Sequence, residues 1–468
     1  MEVERDSAAR YTQRTAAMRT TDRNGGRLLT NTIGLRREDR YEWERRTPLI
    51  PEHVHALRDE FGIDIIVQSS SKRVYRDDEY RSLGASVVEE LKDRRVIVGL
   101  KEISLDAIAE DTVYTFFSHT VKGQAFNMPM LRRLMERRCT VIDYERIVDE
   151  RNRRLIFFGK YAGLAGMIDS LWSLGRRLAH EGIATPLDAL RQASEYANLD
   201  EAKGAVQRVG DRIRAGGLPD TLRPLIIGIA GYGNVSKGAQ EILGLFPTQT
   251  VSATELLAGE PITEPIATVV FREQDTAIRR DASQPFDLTE YYEHPERYEA
   301  GFSRYLPHLH LLVNCIYWES KYPKLITRDD LRTLYADGQP RLRVIGDITC
   351  DVGGAIESTT VATESDNPVY VYEPETGVST FGIAGHGPVV MAVEILPSEL
   401  PRESSAFFSG ILQTFVPALA QADFNAPLGG TGLPDELERA TIVYRGRLTP
   451  AYEYLAQYLS EDRQRTGG

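Results

Sequence analysis

The sequence predicts an α/β protein with two doubly wound parallel-sheet domains and a cleft between them. Three observations support this fold class. Short apolar runs alternate with helical stretches along the chain, which is typical of parallel sheets covered by helices on both faces. A glycine-rich turn joins one apolar run to a helix. The chain has 468 residues, of which 42% are hydrophobic, enough for two or three domains with large cores.

The first domain begins with alternating strands and helices. Apolar runs are interpreted as buried strands at residues 64–67, 95–100, 113–117 and 140–142. Helical patterns are predicted at residues 51–61, 78–83 and 128–138. Because strands and helices alternate, we expect this part of the chain to form a mostly parallel sheet.

Helices and strands also alternate in the second half of the chain. A long helix is predicted from residue 162 to about residue 181, and a more polar helical stretch at 186–215. Small residues in the long helix permit close packing: Ala162, Gly163, Ala165 and Gly166. Further strands are predicted at residues 224–230, 249–253, 267–271, 311–316, 343–347 and 369–372. Residues 272–304 are interpreted as a loop-like insertion, and the chain beyond Leu396 as amphipathic helix.

Composition excludes several classes of function. The net charge of −12 argues against a nucleic-acid-binding protein, which normally carries a basic face. No run approaches the length of about 18 apolar residues that a membrane span needs, so none is expected. The cysteines lie far apart without CxxC spacing, which predicts neither disulfides nor a metal site and fits a cytoplasmic protein: Cys139, Cys315 and Cys350.

Charged segments are expected at the surface. Residues 1–29 are rich in arginine, threonine and acidic residues and lack the apolar core of a secretory signal, so a flexible N-terminal arm is predicted. Paired arginines are interpreted mostly as parts of a solvated surface, because acidic residues lie near each pair: Arg36-Arg37, Arg45-Arg46, Arg132-Arg133 and Arg176-Arg177.

A Rossmann-like dinucleotide site is predicted at the glycine turn. The apolar strand at 224–230 precedes the turn and a helix follows it. Gly231 permits the tight turn, Gly233 lets the backbone approach a pyrophosphate, and Ser236 is small enough for close helix–strand packing. We therefore expect cofactor contacts from consecutive residues: Gly231, Tyr232, Gly233, Asn234, Val235 and Ser236.

The residues themselves leave the choice between NAD and NADP open. An acidic residue about 20 positions after the turn would bind a ribose 2′-hydroxyl, and none is obvious. The second strand, taken as residues 249–253, ends in small polar groups. No arginine clearly marks a 2′-phosphate site.

Charged side chains follow three predicted strands of the first domain. Lys101 and Glu102 follow one strand, His119 follows another, and Asp143 and Glu145 follow a third. Parallel α/β sheets bind ligands beyond the carboxyl ends of their strands, and grouped Lys, His and Glu shift one another's pKa values. Taken singly, each residue is a surface charge or a structural histidine; the repeated placement favours an acid–base site.

Two aspartates occupy a comparable position in the second domain. Asp347 and Asp351 follow a predicted strand and precede Gly353 and Gly354, which permit close backbone approach. One interpretation is that an aspartate here orients the nicotinamide ribose or a water molecule. The other is that it caps a helix.

These motifs, together with neighbouring ones, resemble those of one family. They are Trp43–Leu49, Gly99–Glu102, Phe116–Lys122, Asp143–Glu145, Phe158–Gly163 and Gly233–Gly238. Collectively they resemble the alanine dehydrogenase/transhydrogenase-like oxidoreductases that include lysine-forming saccharopine dehydrogenase and lysine–ketoglutarate reductase. Within the family, Tyr291–Tyr298, Asn314–Glu319 and Gly346–Asp351 are more similar to the reductase half of the animal and plant bifunctional enzyme.

The resemblance implies a role for each matching residue. Lys101 and His119 match the acid–base pair, and Asp351, with Asp347 nearby, matches the acidic residue at the nicotinamide end. Groups that hold the substrate or tune the acid–base pair match Arg46, Glu102, Lys122, Glu145 and Arg154. Further cofactor contacts are expected from Cys315, Ile316 and Tyr317. The family fold implies a substrate domain of residues 30–160 and about 385–468, with a Rossmann domain at 161–384.

The implied function is that of a saccharopine-forming reductase, which condenses L-lysine with 2-oxoglutarate and reduces the imine with NADPH. NADP(H) is the favoured cofactor and NAD(H) the alternative; the partners are small molecules, and a homo-oligomer is compatible with the sequence. One rival function is an NAD-dependent, lysine-forming saccharopine dehydrogenase or an alanine-dehydrogenase-like enzyme. Another is a catalytically silent nucleotide-binding protein on the same scaffold.

Overall fold

The computed structural model describes residues 32–92 and 94–459, which divide into two compact units. The first unit consists of residues up to 157 and from 401 onward, and the second of residues 158–400. The predicted N-terminal arm, residues 1–29, lies outside the described residues. None of the described helices combines the length and the apolar character that crossing a bilayer requires.

The strands, in chain order, are β1 (Thr32–Leu35), β2 (Asp64–Gln68), β3 (Ser86–Val88), β4 (Val96–Val98), β5 (Val113–Phe116), β6 (Thr140–Asp143), β7 (Leu225–Ala230), β8 (Thr248–Thr250), β9 (Ile266–Phe271), β10 (Ala277–Arg279), β11 (Tyr298–Ala300), β12 (Leu311–Asn314), β13 (Val344–Asp347), β14 (Val369–Tyr372), β15 (Ser379–Phe381), β16 (Val389–Met391), β17 (Thr441–Tyr444) and β18 (Arg447–Leu448). The α-helices are α1 (Pro51–Phe61), α2 (Asp77–Ser82), α3 (Met128–Glu136), α4 (Gly159–His180), α5 (Leu199–Arg212), α6 (Asn234–Leu243), α7 (Ala253–Ala258), α8 (Glu273–Thr276), α9 (Leu288–Glu293), α10 (Arg328–Tyr335), α11 (Pro401–Leu412), α12 (Val416–Gln421) and α13 (Asp435–Arg439).

An eight-stranded sheet forms the centre of the first unit, in the order β18-β17-β6-β5-β4-β1-β2-β3. Strands β1 to β6 pair in parallel, as the alternation of strands and helices predicts. Their middle members are buried on both faces, which explains why they read as continuous apolar runs.

The C-terminal part of this unit differs from the helix predicted for it. Strands β17 and β18 form a hairpin, and β17 pairs antiparallel with β6. The connecting residues Arg445 and Gly446 have φ angles of 48° and 80°, the left-handed conformation that a tight hairpin needs. The run Thr441–Tyr444 is short and rich in β-branched residues, and a partner strand far away in sequence decides its conformation.

The second unit also contains an eight-stranded sheet, in the order β15-β14-β16-β13-β12-β7-β9-β8. Strands β8, β9, β7, β12, β13 and β16 run in parallel, whereas β14 pairs antiparallel with its neighbours. The expected return to the first unit at about residue 385 is therefore placed too early. Because β16 pairs with β13 and β14, the second unit continues to residue 400.

Residues 272–304 were expected to form a loop, and this interpretation is wrong. The segment contains two short helices and the antiparallel pair β10–β11. Aromatic rings give it a small core of its own: Phe286, Tyr291 and Tyr298, packed with Tyr322. Buried aromatic rings of this size contribute enough apolar area to order a short excursion.

The long helix α4 packs against α6, the helix that follows the glycine turn. A Cβ on Gly163 of α4 would lie 1.8 Å from the carbonyl oxygen of Val235, and one on Gly238 of α6 would lie 2.1 Å from that of Lys160. Only glycine at both positions allows the two helix backbones to approach so closely. The small residues predicted to permit close packing in α4 thus act at this crossing.

Candidate functional site

The carboxyl ends of three neighbouring strands collect charged residues in the first unit. Strands β4, β5 and β6 lie side by side and parallel, so the residues that follow them emerge at one edge of the sheet. Lys101 and Glu102 follow β4, His119 follows β5, and Asp143 ends β6. The sequence-based expectation that these strand ends meet is confirmed by hydrogen bonds between them.

One of these contacts joins His119 to Glu102. The Nδ1 atom of His119 lies 2.8 Å from Oε1 of Glu102, whose side chain is buried, while the imidazole remains about one-third exposed. Burial alone would raise the pKa of Glu102, but the hydrogen bond and charge of His119 and the charge of Lys101 outweigh it and lower the pKa to about 2. Glu102 is therefore ionised at any physiological pH.

Asn127 holds the backbone around this pair. Its Nδ2 donates to Oε1 of Glu102 and to the carbonyl oxygens of Ser118 and His119, each at 3.2 Å. His119 has a φ of 47°, an uncommon conformation for a non-glycine residue. The buried amide thus helps to keep a strained turn in the geometry that presents the imidazole.

Arg36 and Glu38 support the loop that carries Lys101 and Glu102. The Arg36 guanidinium donates to the carbonyl oxygens of both residues, at 3.2 and 2.9 Å, and pairs with Glu38 at 3.3 Å. Glu38 in turn accepts the backbone N–H groups of Leu100 and Lys101. Sequence reasoning missed both residues, although their place directly after the apolar strand Ile33–Leu35 was a usable signal.

The interpretation of the paired arginines as solvated is wrong for one member of three pairs. Arg36, Arg46 and Arg177 are 6%, 4% and 3% exposed, whereas Arg37 and Arg45 are exposed. The two members of a pair differ in exposure because adjacent side chains point in different directions. In an extended chain they point to opposite sides, and in a helix they are rotated by about 100°. Charge composition alone does not reveal which member turns inward.

A second polar cluster lies at the end of β6. Oδ2 of Asp143 accepts the backbone N–H and the hydroxyl of Ser118, and Oδ1 accepts the N–H of Glu145 at 2.7 Å. Burial raises the pKa of Asp143 against these hydrogen bonds. Asp143 thereby orders the turn that carries Glu145, and Glu145 forms an ion pair with Arg154.

The other two predicted substrate-binding cations differ in their surroundings. Arg46 is buried, and two of its N–H groups bind the Glu44 carboxylate at 2.8 and 2.5 Å. Lys122 lies on an exposed turn in which its backbone N–H donates to Gln124. Of the predicted cations, Arg154 and Lys122 are therefore the ones with exposed side chains.

The glycine turn of the second unit has the geometry that a dinucleotide needs. Gly231 has a φ of 97°, and a Cβ there would meet the carbonyl oxygen of Cys315 at 3.1 Å. A Cβ on Gly233 would have no neighbour within 4 Å, so the backbone there faces open space. Helix α6 begins at Asn234 without a side-chain cap, which leaves its first N–H groups available to a pyrophosphate. The residues present therefore fit a dinucleotide.

The predicted contacts of this turn divide into exposed and buried ones. Tyr232, Gly233 and Asn234 are exposed, and Val235 is half-buried. Ser236 is fully buried, with its Oγ bound by Gln240, so its side chain packs inside the unit. The close helix packing assigned to Ser236 is carried by Gly238 as well, which contacts the Lys160 carbonyl.

The ends of β12 and β13 supply the remaining predicted cofactor residues. Cys315 is buried behind Gly231, and Tyr317 is 63% exposed. Asp347 is buried and accepts four hydrogen bonds, from Asn314, Thr349, Cys350 and Thr359. Asp347 therefore organises the loop after β13. Asp351 lies on the exposed part of the same loop.

Comparisons with known proteins agree with this geometry. Residues 34–165 match the alanine dehydrogenase/PNT N-terminal domain family. Among solved structures, an L-alanine dehydrogenase superposes with a TM-score of 0.60 at 17% identity, covering 92% of this chain and 99% of that one. A transhydrogenase from Sinorhizobium meliloti superposes with a TM-score of 0.53 at 16% identity, covering 89% of this chain and all of that one.

Curated relatives are more similar in sequence. The α-aminoadipic semialdehyde synthases of Arabidopsis thaliana and Mus musculus are 38% and 34% identical over 92% of this chain, covering 42% and 48% of those proteins. The chain thus spans about half the length of these two synthases. An NAD(+)-linked, L-lysine-forming saccharopine dehydrogenase of Emericella nidulans is 28% identical over 84% of this chain and 92% of that protein.

The fold and the glycine turn define the class: an α/β protein of two units, with the fold of an L-alanine dehydrogenase and a transhydrogenase. Its second unit has a Rossmann-type turn that fits a dinucleotide. Within that class, the chain is similar in sequence to the α-aminoadipic semialdehyde synthases and, at lower identity, to the saccharopine dehydrogenases. The resemblance drawn from its motifs is confirmed.

Proposed function

We propose that this chain condenses L-lysine with 2-oxoglutarate and reduces the resulting imine with NADPH to give saccharopine. The observation that carries the proposal is the His119–Glu102 pair beside Lys101, in a chain related to α-aminoadipic semialdehyde synthases. Imine formation needs proton transfers at the carbinolamine and at its loss of water, which suits groups of this kind.

Glu102 determines which nitrogen of His119 transfers the proton. Because the Glu102 carboxylate is ionised, it accepts a hydrogen bond, and the proton of a neutral imidazole resides on Nδ1. Nε2 is then the basic atom, which takes a proton from the attacking ε-amine and returns it to the departing water. Lys101 donates a proton earlier, to the keto oxygen of 2-oxoglutarate as the carbinolamine forms.

Charge around Lys101 is set by a second buried carboxylate. Burial would raise the pKa of Glu44, but Arg46 and Lys101 together lower it, so that Glu44 is also ionised. The buried Arg46 is thus occupied by Glu44 and is assigned to the support of the site instead of direct substrate binding. Lys122 and Arg154, whose side chains are exposed, are assigned to the substrate carboxylates.

The cofactor is assigned to the glycine turn of the second unit. Its pyrophosphate would contact the N–H groups at the start of α6, beyond Gly231 and Gly233. When bound, the dinucleotide supplies the hydride, and the protein orients the substrates and transfers the protons. Asp351 is assigned to the nicotinamide end.

The test is an NADPH-oxidation assay with pairs of amino acids and keto acids. We expect turnover with lysine plus 2-oxoglutarate, and loss of at least about 100-fold in kcat for Lys101→Met and for His119→Gln. Lys92→Met, an exposed lysine of the same unit, is the control. An enzyme that oxidises no NADPH with lysine plus 2-oxoglutarate would contradict the proposal.

The 28% identity to a lysine-forming saccharopine dehydrogenase favours one second candidate, NAD-linked oxidation of saccharopine. Two further assays separate the candidates: saccharopine with NAD, and lysine plus 2-oxoglutarate with NADH. A saccharopine-oxidising enzyme would reduce NAD in the first and would prefer NADH to NADPH in the second. Tight dinucleotide binding without turnover on any substrate pair would instead indicate a silent nucleotide-binding protein.

A further inference from the structure

The strand order of the second sheet places the residues that would select between NAD and NADP after β9 and not after β8. In the doubly wound fold, the residue that recognises the 2′-position of the adenosine ribose follows the strand next to the glycine-turn strand. Strand β8, the next strand in sequence, pairs with β9 and not with β7. Strand β9 lies directly beside β7, with six residues in register. The position therefore belongs to the residues after Phe271, which are Arg272 and Glu273.

Arg272 lies beside the glycine turn itself. Its guanidinium carbon is 4.7 Å from the centre of the Tyr232 ring, and Tyr232 is the middle residue of Gly231-Tyr232-Gly233. The arginine is exposed, and its guanidinium makes no hydrogen bond or ion pair with any residue within 32–92 and 94–459. Stacking on an aromatic ring fixes the plane of a guanidinium and leaves its N–H groups directed outward.

Glu273 is occupied by two tyrosines. Its Oε1 accepts hydrogen bonds from the hydroxyls of Tyr232, at 3.2 Å, and Tyr292, at 2.7 Å. Tyr292 lies on α9 of the aromatic insertion, so the insertion draws this carboxylate toward itself. The acidic group is thereby engaged, while the cationic group next to it is presented to solvent.

We propose that Arg272 binds the 2′-phosphate of NADP(H) and is the residue that selects NADP(H) over NAD(H). This inference rests on the proposed function only in requiring that the glycine turn binds a dinucleotide. A planar guanidinium pairs with phosphate through two parallel hydrogen bonds, and a 2′-hydroxyl offers it no comparable partner.

The test is calorimetric titration of the full chain with 2′,5′-ADP and with ADP, in the absence of lysine and 2-oxoglutarate. The wild-type protein is expected to bind 2′,5′-ADP more tightly than ADP. Arg272→Gln is expected to weaken 2′,5′-ADP binding by about 10- to 100-fold, the range for one charge-assisted pair, and to leave ADP binding unchanged. Arg191→Gln is the matched control, because Arg191 also stacks on a tyrosine, Tyr196, at 4.4 Å.

Two outcomes would overturn the inference. One is equal binding of 2′,5′-ADP by the wild type and Arg272→Gln. The other is a loss of ADP binding in Glu273→Gln with no change in Arg272→Gln, which would assign the site to a 2′-hydroxyl. Circular dichroism and the thermal midpoint of each variant exclude misfolding. Because neither substrate is present, failure of the lysine reaction contradicts the proposed function alone and leaves this inference standing.

Discussion

Gly163 in α4 lies against the carbonyl group of Val235, in the first turn of α6, so closely that a Cβ would stand 1.8 Å from the carbonyl oxygen. The same crossing places Gly238 against the Lys160 carbonyl. The helix that begins at the glycine turn is thus held by backbone contact with the longest helix of the unit. That contact fixes the position of the N–H groups at the start of α6, where we propose that the cofactor binds.

Gly163→Ala is expected to destabilise the protein by at least about 1–3 kcal/mol, because the added methyl group collides with backbone that cannot move aside. It should also weaken ADP binding by displacing the first turn of α6. Denaturant unfolding and calorimetry measure the two effects. Gly204→Ala in α5 is the matched control, since its Cβ meets only the end of the Arg208 side chain, at 3.4 Å, and helix propensity should raise its stability slightly. Equal stabilities of the two variants would refute the close contact.

Arg36 and Arg37 should respond very differently to the same substitution. Arg36→Met removes one partner of a buried ion pair and two hydrogen bonds to the Lys101–Glu102 backbone, and is expected to cost about 3–5 kcal/mol. Arg37→Met, at an exposed position, should change the free energy of unfolding by less than about 0.5 kcal/mol. The double variant Arg36→Met/Glu38→Gln should recover part of the loss. Chemical denaturation of the three variants measures these changes in the free energy of unfolding. Similar losses for Arg36→Met and Arg37→Met would be inconsistent with the buried pair.

Glu102 should stabilise the fold in a pH-dependent way. Its folded-state pKa of about 2 lies below the ordinary value of 4.5, so its contribution is complete above pH 4.5 and is lost as the pH falls toward 2. The stability difference between the wild type and Glu102→Gln is therefore expected to shrink over that interval. Unfolding in urea at a series of pH values measures it, with the exposed Glu42→Gln as the control. A difference that stays constant from pH 5 to pH 3 would argue against an ionised, paired Glu102.

Asp169 and Glu399 should have the opposite pH dependence. Asp169 and Glu399 are neighbouring buried carboxyl groups, and Oδ1 of Asp169 accepts the backbone N–H of Ala193 at 2.7 Å. Burial raises both pKa values, that of Asp169 to about 6, and the charge of Asp169 raises that of Glu399 further. Because the folded values lie above the ordinary ones, the contribution is complete below about pH 4 and is lost as the pH rises through 6 and beyond.

Replacing the buried glutamate tests this pair. Glu399→Gln supplies N–H donors to Asp169 and should flatten the decline in stability between pH 5 and pH 8, measured as urea midpoints. Asp211→Asn, at an exposed aspartate of the same unit, should leave the slope as in the wild type. Parallel pH profiles for the wild type and Glu399→Gln would contradict the raised pKa values of this pair.

Much of the fold could be predicted because its signals are local. Helix α1 was predicted with the bounds that the structure has, since Pro51 starts it and Gly62, with a φ of 65°, ends it. The apolar strands and the glycine turn were likewise readable, and with them Lys101, Glu102, His119 and Asp143 at the strand ends. The hairpin β17–β18 was not, because its conformation depends on pairing with β6, some 300 residues earlier in the chain.

The candidate site divides in the same way. Residue types and their places after apolar strands sufficed to predict a charged cluster and a dinucleotide turn, because carboxyl ends of parallel strands meet at one edge of a sheet. Packing decided the rest. It determines which arginine of each pair is buried, and it places Arg36 and Asn127 where they support the site. It also surrounds Asp347 with the groups that donate four hydrogen bonds to it. The position of Arg272 beside Tyr232 was decided by strand order, since neighbours in a sheet are not neighbours in sequence.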